Sequence, residues 1–293
     1  MIRPKIVVVG SSNTDLVISV PQIPAPGQTV LGGALQTVAG GKGANQAVAA
    51  ARLGGDVCFI ARVGDDAYGT VARANFAHEG LDTRFVFVTA GVASGVALIA
   101  VDQTTGENSI VVAPGANSCL RAADIAAARA AFEEAKMVVI SLEIPDEAVF
   151  AAVEAGFSCG IPVLLNPAPA RALPREILEK LTILTPNQSE CEQLGGSAAL
   201  LAGGVKTLIT TLGASGVQLE QLGKSPQRFP AHLVTAIDTV AAGDCFTGAL
   251  AIELARGEPL DRAIGFACAA AAVKVTRAGA QSGLPYRDQV TVQ

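Results

Sequence analysis

Histidine is nearly missing from this sequence, with two in 293 residues, and the six cysteines (Cys58, Cys119, Cys159, Cys191, Cys245, Cys268) are scattered with no C-x-x-C pair. Zinc sites need clustered ligands and disulfide frameworks need cysteines at set spacings, so both are excluded; reduced thiols in the cytosol are expected. Half of the residues are hydrophobic. Charges nonetheless interrupt every apolar run well short of the ~20 residues that a membrane-spanning helix needs. No Lys/Arg cluster occurs and the formal net charge is −5, which argues against a nucleic-acid partner. Residues 1–5 lead straight into an apolar run, without the basic, apolar and small-residue segments of a secretory signal. The class left is a soluble, cytoplasmic enzyme, with no membrane partner.

Tryptophan is absent too, while Ala, Val, Leu and Gly abound. Small aliphatic residues and glycine-punctuated turns suit parallel strands interleaved with helices. Short apolar runs at Lys5–Val9, 57–63, Met137–Ser141, Val163–Asn166, 183–185 and Thr207–Thr211 predict buried strands. Helix-like patterns at 44–53, 68–79, 122–132 and 146–155 alternate with them. The first closes on Leu53-Gly54-Gly55, where glycine suits the left-handed position after a helix. The expected fold class is α/β, an open, mostly parallel sheet flanked by helices, with ligands beyond the carboxyl ends of its strands.

Two segments, about 15–38 and 95–112, carry strand-like residues and turn formers but no helix. After the proline-rich 21–27, residues 29–38 are expected to resume extended structure, and Gln103-Thr104-Thr105-Gly106 to turn a hairpin. Together they predict a small antiparallel β lid standing off the body, all within one domain covering 1–293.

The most informative stretch is Asp238-Thr239-Val240-Ala241-Ala242-Gly243-Asp244-Cys245-Phe246-Thr247-Gly248. An extended run, 234–237, precedes it, and a helical stripe follows that stops at Arg256-Gly257-Glu258-Pro259. Small residues at a helix start let several amides converge on an anion, with the helix dipole adding to the attraction. An aspartate at that turn fits a base that takes a proton from a hydroxyl attacking a phosphoryl group; it also fits a plain N-cap. Upstream, Gly40-Gly41-Lys42-Gly43-Ala44-Asn45-Gln46 opens the first helix and matches neither a Walker A loop nor a dinucleotide fingerprint. Asn13 and Asp15 follow the first strand, where a carboxylate and an amide pair naturally with a diol or simply form a turn.

These segments resemble the ribokinase family of carbohydrate kinases. The likeness is carried by the Gly40–Gln46 run, Val63-Gly64-Asp65-Asp66-Ala67-Tyr68-Gly69, Thr185-Pro186-Asn187-Gln188-Ser189-Glu190, Thr211-Leu212-Gly213-Ala214-Ser215-Gly216 and the Asp238 stretch, in order along the whole chain. The resemblance implies ATP-dependent phosphorylation of ribose at its 5-hydroxyl. Asp244 would be the base, with the amides of Ala241, Ala242 and Gly243 around the transferred group. It implies sugar contacts from Asn13, Asp15, Gly40, Gly41, Lys42, Asn45 and Glu143. Asn187 and Glu190 would serve the phosphates and a hydrated Mg2+, Thr211–Gly216 would pass along the nucleotide, and Cys268 would pack near the adenine.

It also implies a K+ ion held by the Asp238 carboxylate and the carbonyls of Val240, Lys274, Arg277 and Gly279. Gly283 stands where the family often has a serine ligand, so a carbonyl, a water or a shifted Ser282 would have to substitute. The lid would pair with a second subunit in a homodimer. Deoxyribose, fructose or a nucleoside as acceptor, or a sugar-binding regulator without turnover, remain open on sequence alone.

Overall fold

The computed structural model describes residues 3–291; Met1 and Ile2, part of the run read for a leader, lie outside the described residues. The strands, in chain order, are β1 (Lys5–Val9), β2 (Asn13–Val20), β3 (Gln36–Gly40), β4 (Asp56–Gly64), β5 (Val86–Thr89), β6 (Gly95–Asp102), β7 (Asn108–Ala113), β8 (Met137–Ser141), β9 (Val163–Asn166), β10 (Ile183–Leu184), β11 (Thr207–Thr211), β12 (Val217–Glu220) and β13 (Gln227–Phe229). Nine of them form one sheet in the order β13-β12-β11-β10-β9-β8-β1-β4-β5. Only the β11–β12 and β12–β13 pairings in it are antiparallel.

The alternation of side chains along β1 explains the layers. Ile6 and Val8 enter one apolar cluster with the helices Lys42–Arg52, Ala242–Ala255 and Leu260–Val275, whereas Val7 and Val9 enter another with Asp146–Ser158. A strand covered on both faces reads as an unbroken apolar run, which is why the central strands are plain in the sequence. One close approach sets up the site. A Cβ on Gly248 would meet the Gln46 carbonyl at 2.8 Å and the Ala49 Cβ at 2.9 Å, so glycine there lets the Ala242–Ala255 helix lie directly against Lys42–Arg52.

The second sheet, β3-β2-β6-β7, grows outward from the carboxyl end of β1. Its outer pairings, β2–β3 and β6–β7, are antiparallel, and its central pair, β2–β6, is parallel because both strands leave the body in the same direction. The predicted hairpin forms at 103–106, where the Asp102 carboxylate accepts from the amides of Thr104 and Thr105 and Gly106 takes φ 74°.

Three local expectations change. The helix expected over 122–132 is two, Ala122–Ala127 and Arg129–Glu134; at Ala128 the bonds tighten to the 3₁₀ spacing, Ala128 N to Ile125 O and Ala131 N to Ala128 O. Of 29–38, only the last three residues are strand, the start of Gln36–Gly40, since Gly32 and Gly33 interrupt it and a single bond from the Gly33 amide to the Ser19 carbonyl replaces a ladder. The run 234–237 pairs with no strand. The amides of Ile237 and Asp238 donate instead to the Val275 carbonyl at the end of a helix (2.7 and 3.1 Å), leaving Ile237 69% exposed.

Candidate active site

Chemistry-bearing residues gather where β1, β8, β9, β10 and β11 end and two helices begin. Asp244 lies in the first turn of Ala242–Ala255 and is buried. Its Oδ2 accepts from Asn45 Nδ2 at 2.9 Å and its Oδ1 from Gln46 Nε2 at 3.0 Å. It is therefore more than a cap: its oxygens are aimed by the neighbouring helix. Burial raises its pKa, against the lowering influence of Lys42, Asn45 and Gln46. Just before it, Ala241 adopts φ 59°, the one positive φ outside glycine among the described residues. The Ala242 amide at that turn donates to the Thr239 carbonyl at 3.2 Å, and a Cβ on Gly243 would meet nothing within 4 Å, so the turn faces open space at Gly243.

The residues expected at the sugar come together on the other side. Asn13 begins β2, and Asp15 follows on the same face; both are buried. Asp15 fills the space over Gly40, where a Cβ would lie 2.1 Å from its carboxylate. Burial, then the charges of Glu143 and Asp244, push the Asp15 carboxyl up to about 6. Gly41 takes φ 90°, open only to glycine without strain, to bring the helix start against Ser12 and Asn13. Glu143, past the end of β8, accepts from the Ser11 hydroxyl and from the Lys42 amide (3.1 Å). Burial is the largest influence on Lys42 and lowers its pKa, yet Asp244, Glu143, Glu190 and Asp15 outweigh it and raise the value. Lys42 thus lies within electrostatic reach of four carboxylates.

Of the residues expected at the nucleotide, Asn187 and Glu190 cap the Gln188–Gln193 helix reciprocally, at 2.8 Å each way. That leaves the Asn187 Nδ2 and one Glu190 oxygen for other partners. Burial raises the Glu190 carboxyl, with Lys42 opposing. Mg2+ keeps several waters and uses one or two carboxylates beside substrate phosphates, and this donor set fits it. Thr211 bridges to Asn187, and Leu212–Gly216 form a tight turn in which the Leu212 amide donates to the Gly216 carbonyl at 2.8 Å. Gly213 and Gly216 hold positive φ, and a Cβ on Gly216 would strike the Phe229 carbonyl at 2.0 Å; Ala214 and Ser215 lie between them. Cys268 sits in the core cluster, its thiol pushed up to about 11 by burial, as suits packing.

The K+ expectation does not fit. Lys274, expected to lend a carbonyl, sends its own Nζ between two of the intended ligands: it donates to the Arg277 carbonyl (3.3 Å) and stands 3.9 Å from the Asp238 carboxylate, donating as well to the Asp238 main-chain carbonyl (3.0 Å). The Asp238 carboxylate is engaged by the amides of Val240 (2.9 Å) and Gly279 (2.7 Å), and the Lys274 carbonyl accepts from the Arg277 amide. Ser282 does not shift in: its hydroxyl donates to the Ala278 carbonyl at 3.2 Å.

Four contributors escape the sequence reading. Gln46 Nε2 bridges Asp244 and the side-chain Oδ1 of Asn166 (3.1 Å), and Asn166 Nδ2 in turn donates to the Thr185 main-chain carbonyl at 2.7 Å. Asn117 pairs with Ser12 and Asn13, and Ser11 joins Glu143. Gln46 stood inside the quoted glycine-rich run and was within reach of such reasoning; Asn117 lies 104 residues from Asn13 and carries no local signal. Beside Asp244, Cys245 is fully buried and its thiol is pushed up to about 12 by burial, so it stays protonated and structural.

Comparison with known proteins places this geometry. The profile described as "pfkB family carbohydrate kinase" matches residues 3–287. The chain is 42% identical over 299 residues to a ribokinase of Haemophilus influenzae, covering 98% of this chain and 97% of that one. A Bacillus subtilis ribokinase is also 42% identical, with 97% of each chain covered. The solved structure of Arabidopsis thaliana ribokinase complexed with ribose and ATP superposes with a TM-score of 0.89 at 30% identity, covering 98% of this chain and 97% of that one.

Proposed function

The chain belongs to the pfkB family of carbohydrate kinases, and we propose that it transfers the γ-phosphoryl group of ATP to the 5-hydroxyl of D-ribose. One observation carries this reading: a buried aspartate, Asp244, stands at a helix N-terminus with its two oxygens oriented by Asn45 and Gln46, within electrostatic reach of Lys42.

Asn13, Asp15, Gly40, Gly41, Lys42, Asn45 and Glu143 bind the sugar. Ionised Asp15 accepts from vicinal hydroxyls, and the Asn13 amide donates. Asp244 takes the 5-hydroxyl proton as that oxygen attacks the γ-phosphorus in line, and the bond to the β-phosphate oxygen breaks, releasing ADP. The amides of Ala241, Ala242 and Gly243 stabilise the charge on the phosphoryl oxygens as it passes. Asn187 and the Thr211–Gly216 turn hold the nucleotide, with Gly243 at its phosphate end and Cys268 packed behind the adenine. Mg2+, reached by Glu190 through water, neutralises phosphate charge when bound.

In this reading the chain is one domain, and the β3-β2-β6-β7 sheet is a lid that excludes water from the phosphoryl group, whose hydrolysis would otherwise compete. A second copy pairs on that lid. Its support is β7, exposed along its length, with Leu98, Ile110 and Val111 at least half exposed on that sheet; such an apolar edge invites pairing. A cytoplasmic setting accords with six unpaired cysteines. No helix among the described residues is long and apolar enough to cross a membrane.

The test is ADP release with MgATP and a panel of ribose, deoxyribose, fructose and adenosine, alongside Asp244→Asn. Ribose-dependent turnover that falls about 10²–10⁴-fold in the variant is expected for loss of a general base. Ribose binding without turnover would sink the kinase reading in favour of a sugar-binding regulator.

A further inference from the structure

Among the described residues, Lys274 is the one charged residue with no solvent exposure. It lies in the last turn of the Leu260–Val275 helix with its side chain 0% exposed. Its Nζ donates to the carbonyls of Asp238 (3.0 Å) and Arg277 (3.3 Å), and the Asp238 carboxylate stands 3.9 Å away. A buried charge persists only where it is paired and hydrogen-bonded, and this one has both, together with the negative end of its helix. Burial lowers the Lys274 pKa and the Asp238 charge opposes that shift.

Those acceptors, one carboxylate and main-chain carbonyls, are what a desolvated K+ ion would use in place of its hydration shell. An ammonium is likewise a compact single positive charge, and its three N–H donors satisfy the same oxygens. The two cannot coexist, because a K+ among these oxygens would sit against the ammonium with no low-energy way to separate like charges.

A second, independent feature points the same way. A Cβ on Gly283 would come 3.2 Å from Lys274 Cε and 3.1 Å from the Arg277 carbonyl, so a side chain there would crowd the lysine stem, which would have to give by a few tenths of an ångström. The position from which a serine would offer a ligand has been cleared for the lysine.

We propose that the Lys274 ammonium is a built-in monovalent cation. It takes the place of K+, pins the 238–241 turn that leads into the anion-binding helix start, and frees phosphoryl transfer from any need for added monovalent salt. This rests on the kinase reading above, and Lys274 acts as a positioning residue, through the turn and never on substrate.

Two measurements on the full-length protein test it. In the first, ribose-dependent turnover is followed in KCl, NaCl and tetramethylammonium chloride at equal ionic strength. The wild type is expected to run at one rate in all three, whereas the double variant Lys274→Ala/Gly283→Ser loses about tenfold or more without K+, as for a weakened oxyanion hole, and recovers when KCl is added. Wild-type activation of about tenfold by K+ alone, or a folded double variant that needs no K+, overturns the proposal. In the second, crystals are soaked in RbCl and the anomalous signal is read at the Asp238–Arg277 carbonyls. No peak is expected in the wild type and one is expected in the double variant. A wild-type rubidium peak there overturns the proposal whatever the acceptor sugar proves to be, so failure of this idea and failure of the ribose assignment are distinguishable.

Discussion

Asn117 Nδ2 donates to Asn13 Oδ1 at 2.8 Å, while its own Oδ1 accepts from the Ser12 amide at 2.9 Å. The side-chain carbonyl of Asn13 is thereby committed, and its NH2 is the group left to face the sugar. Asn117→Ala is expected to free the Asn13 amide to rotate, raising KM for ribose by roughly tenfold, about one hydrogen bond's worth, with kcat little changed. Steady-state kinetics on the folded variant check this; an unchanged KM would mean that Asn13 is oriented by something else.

The Asp15 carboxyl, raised to about 6 from 3.8 by burial and then by Glu143 and Asp244, gives a pH signature. Between those values the folded protein holds the proton more tightly than the unfolded chain. Stability is therefore greatest below about pH 4 on this account and is lost as pH rises to about 6. Asp15→Asn is expected to be more stable than the parent at pH 7, by up to about 3 kcal/mol, with the gap closing toward pH 4. Urea midpoints across that range decide it, and ribose affinity should fall in the same variant, the usual exchange of function for stability at a site.

Gly43 and Gly10 touch backbone to backbone, since a Cβ on Gly43 would sit 2.6 Å from the Gly10 Cα. Gly43→Ala is expected to push the Lys42–Arg52 helix off the end of β1 and carry Asn45 and Gln46 away from Asp244. A displacement near 1 Å at oriented groups costs on the order of 10²-fold in rate. The expected pattern is a fall in kcat larger than the loss of thermal stability would account for.

Arg52 joins the first helix to the C-terminal segment. It pairs with Glu79 at 2.6 Å and donates to the carbonyls of Gln281 and Leu284 at 2.8 Å each. With both charges of the pair nearly enclosed, Arg52→Ala leaves a carboxylate and two carbonyls unmatched, at a cost of roughly 3–5 kcal/mol. Chemical denaturation measures it. A loss below about 1 kcal/mol would class the pair with ordinary surface bridges.

How far the sequence carried this reading follows from the range of the forces involved. Central strands such as β1 and β8 were legible because two-sided burial writes a continuous apolar run. The turns at Gly54, Gly106 and Gly257 were legible because positive φ selects glycine. The strands β5, β12 and β13 were not read: they are short and only partly buried, and their residues suit loops as well. Asn117 acts across 104 residues, and nothing local records such a contact. The inward course of the Lys274 side chain was not read, for the converse reason. A lysine in the last turn of a helix is ordinarily a solvated complement to the dipole, and only packing against the Gly283 gap turns it inward.

That inward turn has a physiological side. A dissolved ion comes and goes with transport, osmotic stress and the composition of the medium, and an enzyme that borrows one shares those fluctuations. A charge fixed to Lys274 has no off-rate and no competitor, so it cannot be diluted, chelated or exchanged for sodium. The protein then answers to its sugar and its nucleotide alone, and its working conditions are written into the chain rather than into the surrounding salt.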